Sequence, residues 1–366
     1  MFSDQKVNGG RQIELDFAKC MSIVFMIFLH CLMVTTAFDY DVSTFMQRGI
    51  SQLLGGPFAA PVFMFSMGFG TVYSRNQEPD YLIKRGIEQL QLGLFVNVGE
   101  FFIPHYLGGN LLGNWNFPIA GGLLLFCVDI LAFAGMAMIM IGLLKKLKLS
   151  GLQMVGVALV LSVAGSFLRF KDLGSKVANL IAGYFIGSAG GFTAFPLFNW
   201  FIIPAAGVCF GEYYIRCNNK KKLLCAWPAA LVVSIAYFVA SWYMPEGFLS
   251  ETHHYYFMTT IDALFCLVCI YGVIGFWYVV SGLLPESAVD FCKKISGNVD
   301  VIYIIQWFLI PLTYIIIVYF NRGVVFGDAS LVIISLLELV LAAVFAAGYK
   351  NFKKNYGKGK EHGKNQ

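Results

Sequence analysis

Charge is scarce in this sequence. Asp, Glu, Lys and Arg make up only 13% of its 366 residues, and mean hydropathy is +0.70. A soluble domain carries about twice that charge density, so a soluble globular protein is excluded. The formal net charge of +5 lies mostly in short clusters and in the tail "YKNFKKNYGKGKEHGKNQ". Clusters of that kind set topology and touch anionic headgroups, which argues for membrane lipids as partners and against nucleic acid. Also missing are a glycine-rich phosphate loop, an HExxH helix and a recognisable Ser–His–Asp context. No leader with a small-residue cleavage site is visible, because Asp16 and Lys19 interrupt the start. No internal repeat is seen, which speaks against an inverted-repeat transporter. The nine cysteines are scattered, and Cys266–Cys269 has no second pair at a zinc-like spacing. Small-residue packing explains them better than a disulfide framework or metal chemistry. His253 and His254 are adjacent but lack a third ligand at a telling spacing, so no metal is expected.

What is present is apolar residues in long blocks, which predicts an all-α, polytopic transmembrane bundle. Ten spans are expected, at 17–37, 57–74, 86–104, 119–144, 152–168, 196–214, 224–243, 257–283, 299–320 and 328–348. A short, glycine-rich stretch at 177–191 is read as a membrane-dipping or interfacial segment, with an eleventh crossing as the alternative. Every second loop is then basic: the N-terminus, Arg75/Lys84/Arg85, Lys145–Lys148, Arg216–Lys222, Lys293/Lys294 and the tail. These are the expected cytoplasmic sites, with both termini inside. Arg169, Lys171 and Lys176 fall on the outer side as exceptions. The organisation expected is one integral membrane domain over 1–348 and a basic cytoplasmic tail over 349–366.

Polar residues inside such blocks cost insertion energy, about 2.5–3.5 kcal/mol for a central aspartate. They therefore mark candidate sites. Asp129 and Asp262 are read as deep in their spans, and Glu100 and Asp300 as nearer span ends. The first block, "ELDFAKCMSIVFMIFLHCLM", holds the most telling set. On a helix Lys19 and His30 lie within roughly 20° of each other, Asp16 within roughly 40° of His30, and Lys19 to His30 is about 16 Å along the axis. His30 is the only histidine expected inside a span, and imidazole can take a proton and return it near neutrality. A packing histidine and a topology-setting Asp16/Lys19 pair are the plainer readings of the same residues. The second block, "GGPFAAPVFMFSMGFGTVYSR", adds Pro57, Pro61 and Ser66 among small residues that allow close helix approach.

"RQIELDFAKCMSIVFMIFLH" resembles the first helix of the transmembrane acyltransferase superfamily, which includes the acyltransferase-3 and heparan-α-glucosaminide N-acetyltransferase-like proteins. Its pattern is an aspartate, a basic residue three later and a histidine after ten more, here Asp16, Lys19 and His30. "APVFMFSMGFG", "FPLFNWFIIPAAGVCFG" and "ISGNVDVIYIIQWFL" are similar to later helices and follow in the expected order. Lys19 stands where arginine is usual, and Gln306 where the late helix commonly carries a histidine. The resemblance implies transfer of an acyl group, usually acetyl from acetyl-CoA, from the cytoplasm to a hydroxyl or amine of an extracytoplasmic glycan or lipid-linked sugar. It implies Lys19 on the donor's anionic part, with Arg85 and Ser66 beside it, Asp16 orienting Lys19, and His30 as general base or transient acyl carrier. A bacterial cytoplasmic membrane is the expected location, and an oligomer is compatible with the sequence. The rival reading is a proton-coupled transporter or flippase using His30, Asp129 and Asp262.

Overall fold

The computed structural model describes residues 1–113, 125–187, 193–250 and 253–362, the side chains as far as Lys353. The start of the expected 119–144 span and the end of the 177–191 segment lie outside the described residues.

The first helix, Ile13–Thr35, is the axis of the bundle. Glu14 and Asp16 sit in its first turn, where carboxylates oppose the positive end of the helix dipole. Ala18, Ile23, Ile27 and Cys31 are fully buried along it. It packs against Ala60–Tyr73, Thr260–Val280, Glu286–Ser296, Val299–Phe320 and Asp328–His362. Ringed by five others, it turns its polar stripe toward protein and cavity.

Six stretches, Ile13–Thr35, Gly151–Leu168, Lys220–Tyr243, Thr260–Leu283, Val299–Phe320 and Asp328–Lys353, are long and apolar enough to cross a membrane among the described residues. The other four expected spans form helices that fall short of that standard for physical reasons. Ala60–Tyr73 follows Pro57 and starts with Pro61 in its first turn, and its 14 residues reach only about 21 Å. Pro79–Asn97 carries Asp80, Lys84, Arg85 and Glu88 in its first half. It continues through wide π-helical turns at Val98–Phe102 and Pro104–Gly108 before Gly113 ends it in a left-handed conformation, at φ +77°. Ile130–Lys146 has 17 residues, and Ile202–Tyr214 has 13 after the separate turn Leu197–Trp200.

Two close crossings hold these shorter helices. A Cβ on Gly68 would stand 2.0 Å from the Pro204 carbonyl oxygen, and one on Gly207 2.2 Å from that of Phe65. Ala60–Tyr73 and Ile202–Tyr214 therefore touch backbone to backbone, a contact that only glycine allows. Pro79–Asn97 also lies closely on Ile130–Lys146, where a Cβ on Gly86 or on Gly135 would stand 2.6 Å from the other's carbonyl oxygen.

The segment at 177–191 is a helix of 11 residues, Lys176–Ile186, about 16 Å long against a 30 Å hydrocarbon core. Its trailing Gly187 accepts a hydrogen bond from the Phe170 amide, so the chain returns to the end of the bundle it left. At its start Asn179 donates to Asp172, which holds that exposed carboxyl below its usual range.

Basic clusters gather at one end of the bundle. Lys220 pairs with Glu14 at 3.0 Å, Arg11 donates to the Lys293 carbonyl at 2.7 Å, and Lys350 donates to the Gly297 carbonyl at 2.8 Å. Ser3 and Asn218 bind the facing strand edges of the N-terminal arm and residues 216–218. At the far end Arg169 pairs with Glu246 and donates to the Phe257 carbonyl. A partner carboxylate thus neutralises the arginine that falls among the few basic residues of that end. There too a two-residue parallel ladder, Tyr40–Asp41 on Phe326–Gly327, ties the exit of the first helix to the start of the last.

Candidate functional site

Two cavities open along the first helix, and the sequence-derived residues divide between them. The first, about 360 Å³, lies toward the basic end and is lined by Lys19, Ser66, Arg85 and Gln89 together with Asn298 and Asp300. A cleft of about 400 Å³ adjoins it, with Arg11, Asp16, Lys19 and Ser66 on its walls. Asp16 is 4% exposed and organises this mouth. Its Oδ2 accepts from Arg11 Nε at 2.5 Å, and its Oδ1 accepts from Ser296 Oγ at 2.5 Å and faces Lys19 Nζ at 3.4 Å. Asp16 therefore belongs with the mouth residues and stands about 21 Å along the helix from His30. Arg85 is held by Glu88 one turn on, at 3.0 Å. The cations and amide donors here suit an anionic, phosphate-bearing ligand.

The second cavity, also about 360 Å³, holds His30. The imidazole is 8% exposed, stacks on Trp307 at 4.1 Å between centroids and meets the edge of Tyr303 at 5.9 Å. The buried amide of Gln306 is its polar neighbour, yet Nδ1 has no hydrogen-bond partner. Trp307 Nε1 donates to Tyr303 Oη at 2.8 Å, and Tyr303 in turn donates to Asp129 Oδ2 at 2.6 Å. Tyr303 and Trp307 are one turn apart on Val299–Phe320, so one helix face supplies both links.

Three carboxylates stand differently from their sequence reading. Asp129 is not inside a helix but is the extended residue that starts Ile130–Lys146. Asn97 fixes that approach by donating to the Leu125 and Cys127 carbonyls at 2.9 and 2.7 Å. Glu100 is not a solvated span end. The π-helical turn after Asn97 rotates it into the His30 cavity, beside Asp129, with Oε2 buried and unpaired. Such turns are frequent at functional sites. Asp262 is not deep either: it forms a capping box with Thr259 in the first turn of Thr260–Val280. Among the described residues, the lining of the His30 cavity includes Asp129 but not Asp262.

A wall separates the cavities. Phe63 faces the mouth and Tyr303 the His30 cavity, with their rings stacked at 6.5 Å and 19°.

The family profile described as an acyltransferase domain, that of the acyltransferase-3 family, matches residues 12–348. The chain belongs to the acyltransferase-3 family. No curated protein matches it. As a member of this family with long apolar helices, it is an integral membrane protein and a membrane acyltransferase. The matched region takes in both cavities of this acyltransferase-3 protein. Several of their residues had no signal in the sequence: Arg11 and Ser296 hold Asp16 in place, and Tyr255 and Tyr256 line the His30 cavity from the short helical turn Tyr255–Phe257. Tyr303 and Trp307 did carry one, an aromatic pair at helical spacing inside a family landmark.

Proposed function

We propose that the protein moves an acyl group, acetyl in the simplest case, from cytoplasmic acyl-CoA to a hydroxyl or amine of an extracytoplasmic glycan or lipid-linked sugar. The observation that carries this reading is that one helix gives Lys19 to a cationic cavity at the basic end and His30 to a separate cavity farther along. A donor and an acceptor arriving from opposite faces need that arrangement. Lys19 and Arg85 hold the donor's phosphates, Ser66 lies along the path of its arm, and Asp16 with Arg11 fixes the mouth. The pantetheine arm is long enough to carry the thioester over the distance to His30. His30 takes the proton from the acceptor's nucleophile as that atom attacks the thioester carbonyl. The new C–O or C–N bond forms, the C–S bond breaks, and His30 returns the proton to the departing thiolate. Trp307 stacks the imidazole in place, and its bond to Tyr303 aligns the hydroxyl that contacts Asp129.

The direct test is incubation of the purified protein, in lipid nanodiscs, with labelled acetyl-CoA and a panel of sugars. Absence of both donor binding and transfer would discard the reading. Lys19→Ala is expected to raise the KM for acyl-CoA about tenfold with kcat little changed, because it removes a contact made before the chemical step. Lys19→Arg should retain wild-type KM, since arginine offers the same anion more donors. An unchanged donor KM in the alanine variant would confine Lys19 to topology.

The reading includes a ten-span bundle with both termini inside, Lys176–Ile186 lying along the outer surface. Single cysteines at Asn219 and Leu173, in a background free of the native thiols, separate this from eleven crossings. Impermeant maleimide added outside intact cells is expected to label position 173 and spare 219. Outer labelling at 219 would refute the ten-span order.

A further inference from the structure

The His30 cavity has few hydrogen-bond donors, and most of them are spent. None of its lining residues is a lysine or an arginine. Tyr303 donates to Asp129 at 2.6 Å, Trp307 to Tyr303 at 2.8 Å, and Tyr255 to the Gly56 carbonyl at 2.9 Å. Tyr256 reaches the Met33 thioether, a weak acceptor, at 3.6 Å. His30 is engaged in proton transfer in the reaction above. Among the described lining residues, two side chains that can present a hydroxyl proton are left. They are Glu100, whose Oε2 is buried without a partner, and Thr193, whose Oγ1 is in the same position.

These two share a wall. Thr193 forms a parallel bridge with Val128, the residue before Asp129, and the Ala194 amide donates to the Val128 carbonyl at 3.0 Å. Glu100 lies beside Asp129, one turn after Asn97, which holds the Leu125 and Cys127 carbonyls. A carboxylate sealed among apolar and aromatic groups without a donor is costly, and a second carboxyl beside it adds to the cost. Asp129 has the Tyr303 hydroxyl and stands at the start of a helix, whereas Glu100 has neither advantage. Of the two, Glu100 keeps its proton. It is then a donor whose acceptor must come from the cavity.

We infer that neutral Glu100, together with Thr193, donates hydrogen bonds to the acyl carbonyl oxygen as negative charge develops on it. This rests on the acyl-transfer reading above and holds for a hydroxyl or an amine acceptor alike. As the nucleophile attacks, the C=O π pair moves onto oxygen, and the two hydroxyls meet that charge without giving up their protons. Collapse restores the C=O bond, breaks the C–S bond and expels the thiolate. The thiolate takes the proton that His30 removed from the nucleophile. Glu100 ends the cycle as it began, neutral. Donors fixed in advance in a site poor in water need no reorganisation when the charge appears. A buried carboxylic acid kept neutral is one such donor.

Two substitutions in the full-length protein separate donation from other roles. Glu100→Met, which has no donor, is expected to lower kcat about 10²–10³-fold, the cost of losing one such donor. The KM for acyl-CoA should stay within about twofold, because the contact forms only in the transition state. Glu100→Gln should hold kcat within about tenfold of wild type, since a carboxamide N–H still donates but passes on no proton. Infrared difference spectra, wild type minus Glu100→Gln at neutral pH, should show the C=O stretch of a neutral carboxylic acid. That readout does not depend on turnover. A carboxylate band in its place overturns the inference, even if Glu100→Met fails to fold. Near wild-type kcat in Glu100→Met overturns it while leaving the acyltransferase reading intact. A Glu100→Gln enzyme as slow as Glu100→Met makes Glu100 a proton carrier and also overturns it. Wild-type protein that neither binds acyl-CoA nor transfers from it fails the acyl-transfer reading itself, and the inference falls with it.

Discussion

Replacing His30 with alanine is expected to lower kcat for acyl transfer by about 10²–10⁴-fold, the usual contribution of a positioned general base. Donor affinity should stay at the wild-type level, because the mouth around Lys19 and Asp16 lies about 16–21 Å down the same helix and shares no lining residue with the His30 cavity. Insertion should be unaffected: the first helix has 23 residues, and losing an imidazole only makes it more apolar. The substitution does remove a ring stacked on Trp307, so His30→Gln, which retains more of the contact, should show the same kcat loss. Both proteins must be monodisperse and bind acyl-CoA for the comparison to hold. Near-full turnover in either variant would remove His30 as base and as acyl carrier.

A second large effect is expected from a methyl group far from any charge. Gly207→Ala places a Cβ 2.2 Å from the Phe65 carbonyl oxygen, a backbone atom that cannot rotate away. The helices Ala60–Tyr73 and Ile202–Tyr214 must separate, at a cost of about 1–3 kcal/mol for overpacking. Ser66 adjoins Phe65 and lines the mouth, so the separation also displaces a wall of that cavity. The expected result is a melting temperature lowered by several degrees together with a higher donor KM. Gly156→Ala is the control. That glycine is exposed within Gly151–Leu168 and has nothing within 4 Å of an added Cβ, so alanine's better helix propensity should leave stability equal or slightly raised. Equal stability of the two variants would contradict the close crossing.

What could be read from sequence was whatever one helix determines by itself. Lys19 and His30 share a face because residues on a helix advance by a fixed angle, and the structure gives each a place on a cavity wall. The polar residues misplaced by the same reasoning sit where regular helix stops. Glu100 turns inward because wide turns replace the regular helix after Asn97. Asp129 precedes its helix in extended form, and Asp262 caps one. Hydropathy sees all three as polar interruptions of an apolar block and has no means of telling a bulge, a loop end and a cap apart. The span count suffers likewise. Pro57, Pro61 and Pro79 stand before or at helix starts, and π-helical turns and an extended stretch interrupt blocks that composition alone reads as full crossings. Lys19 was legible as a neighbour of Asp16 one turn away, but another partner of Asp16, Ser296, was out of reach because it lies 280 positions away in the chain.

The stacked pair Phe63–Tyr303 has an electrical consequence. An enzyme open to donor on one side and acceptor on the other is at risk of becoming a leak. A membrane potential of 100 mV drives each elementary charge with about 2.3 kcal/mol, so a continuous file of water between the cavities would discharge the cell through every copy. Two aromatic rings in contact offer water few polar partners with which to complete such a file. On the proposed route they would form an insulating plug, one that the slender, uncharged end of a pantetheine arm has to push past and that hydrated ions meet as an apolar barrier.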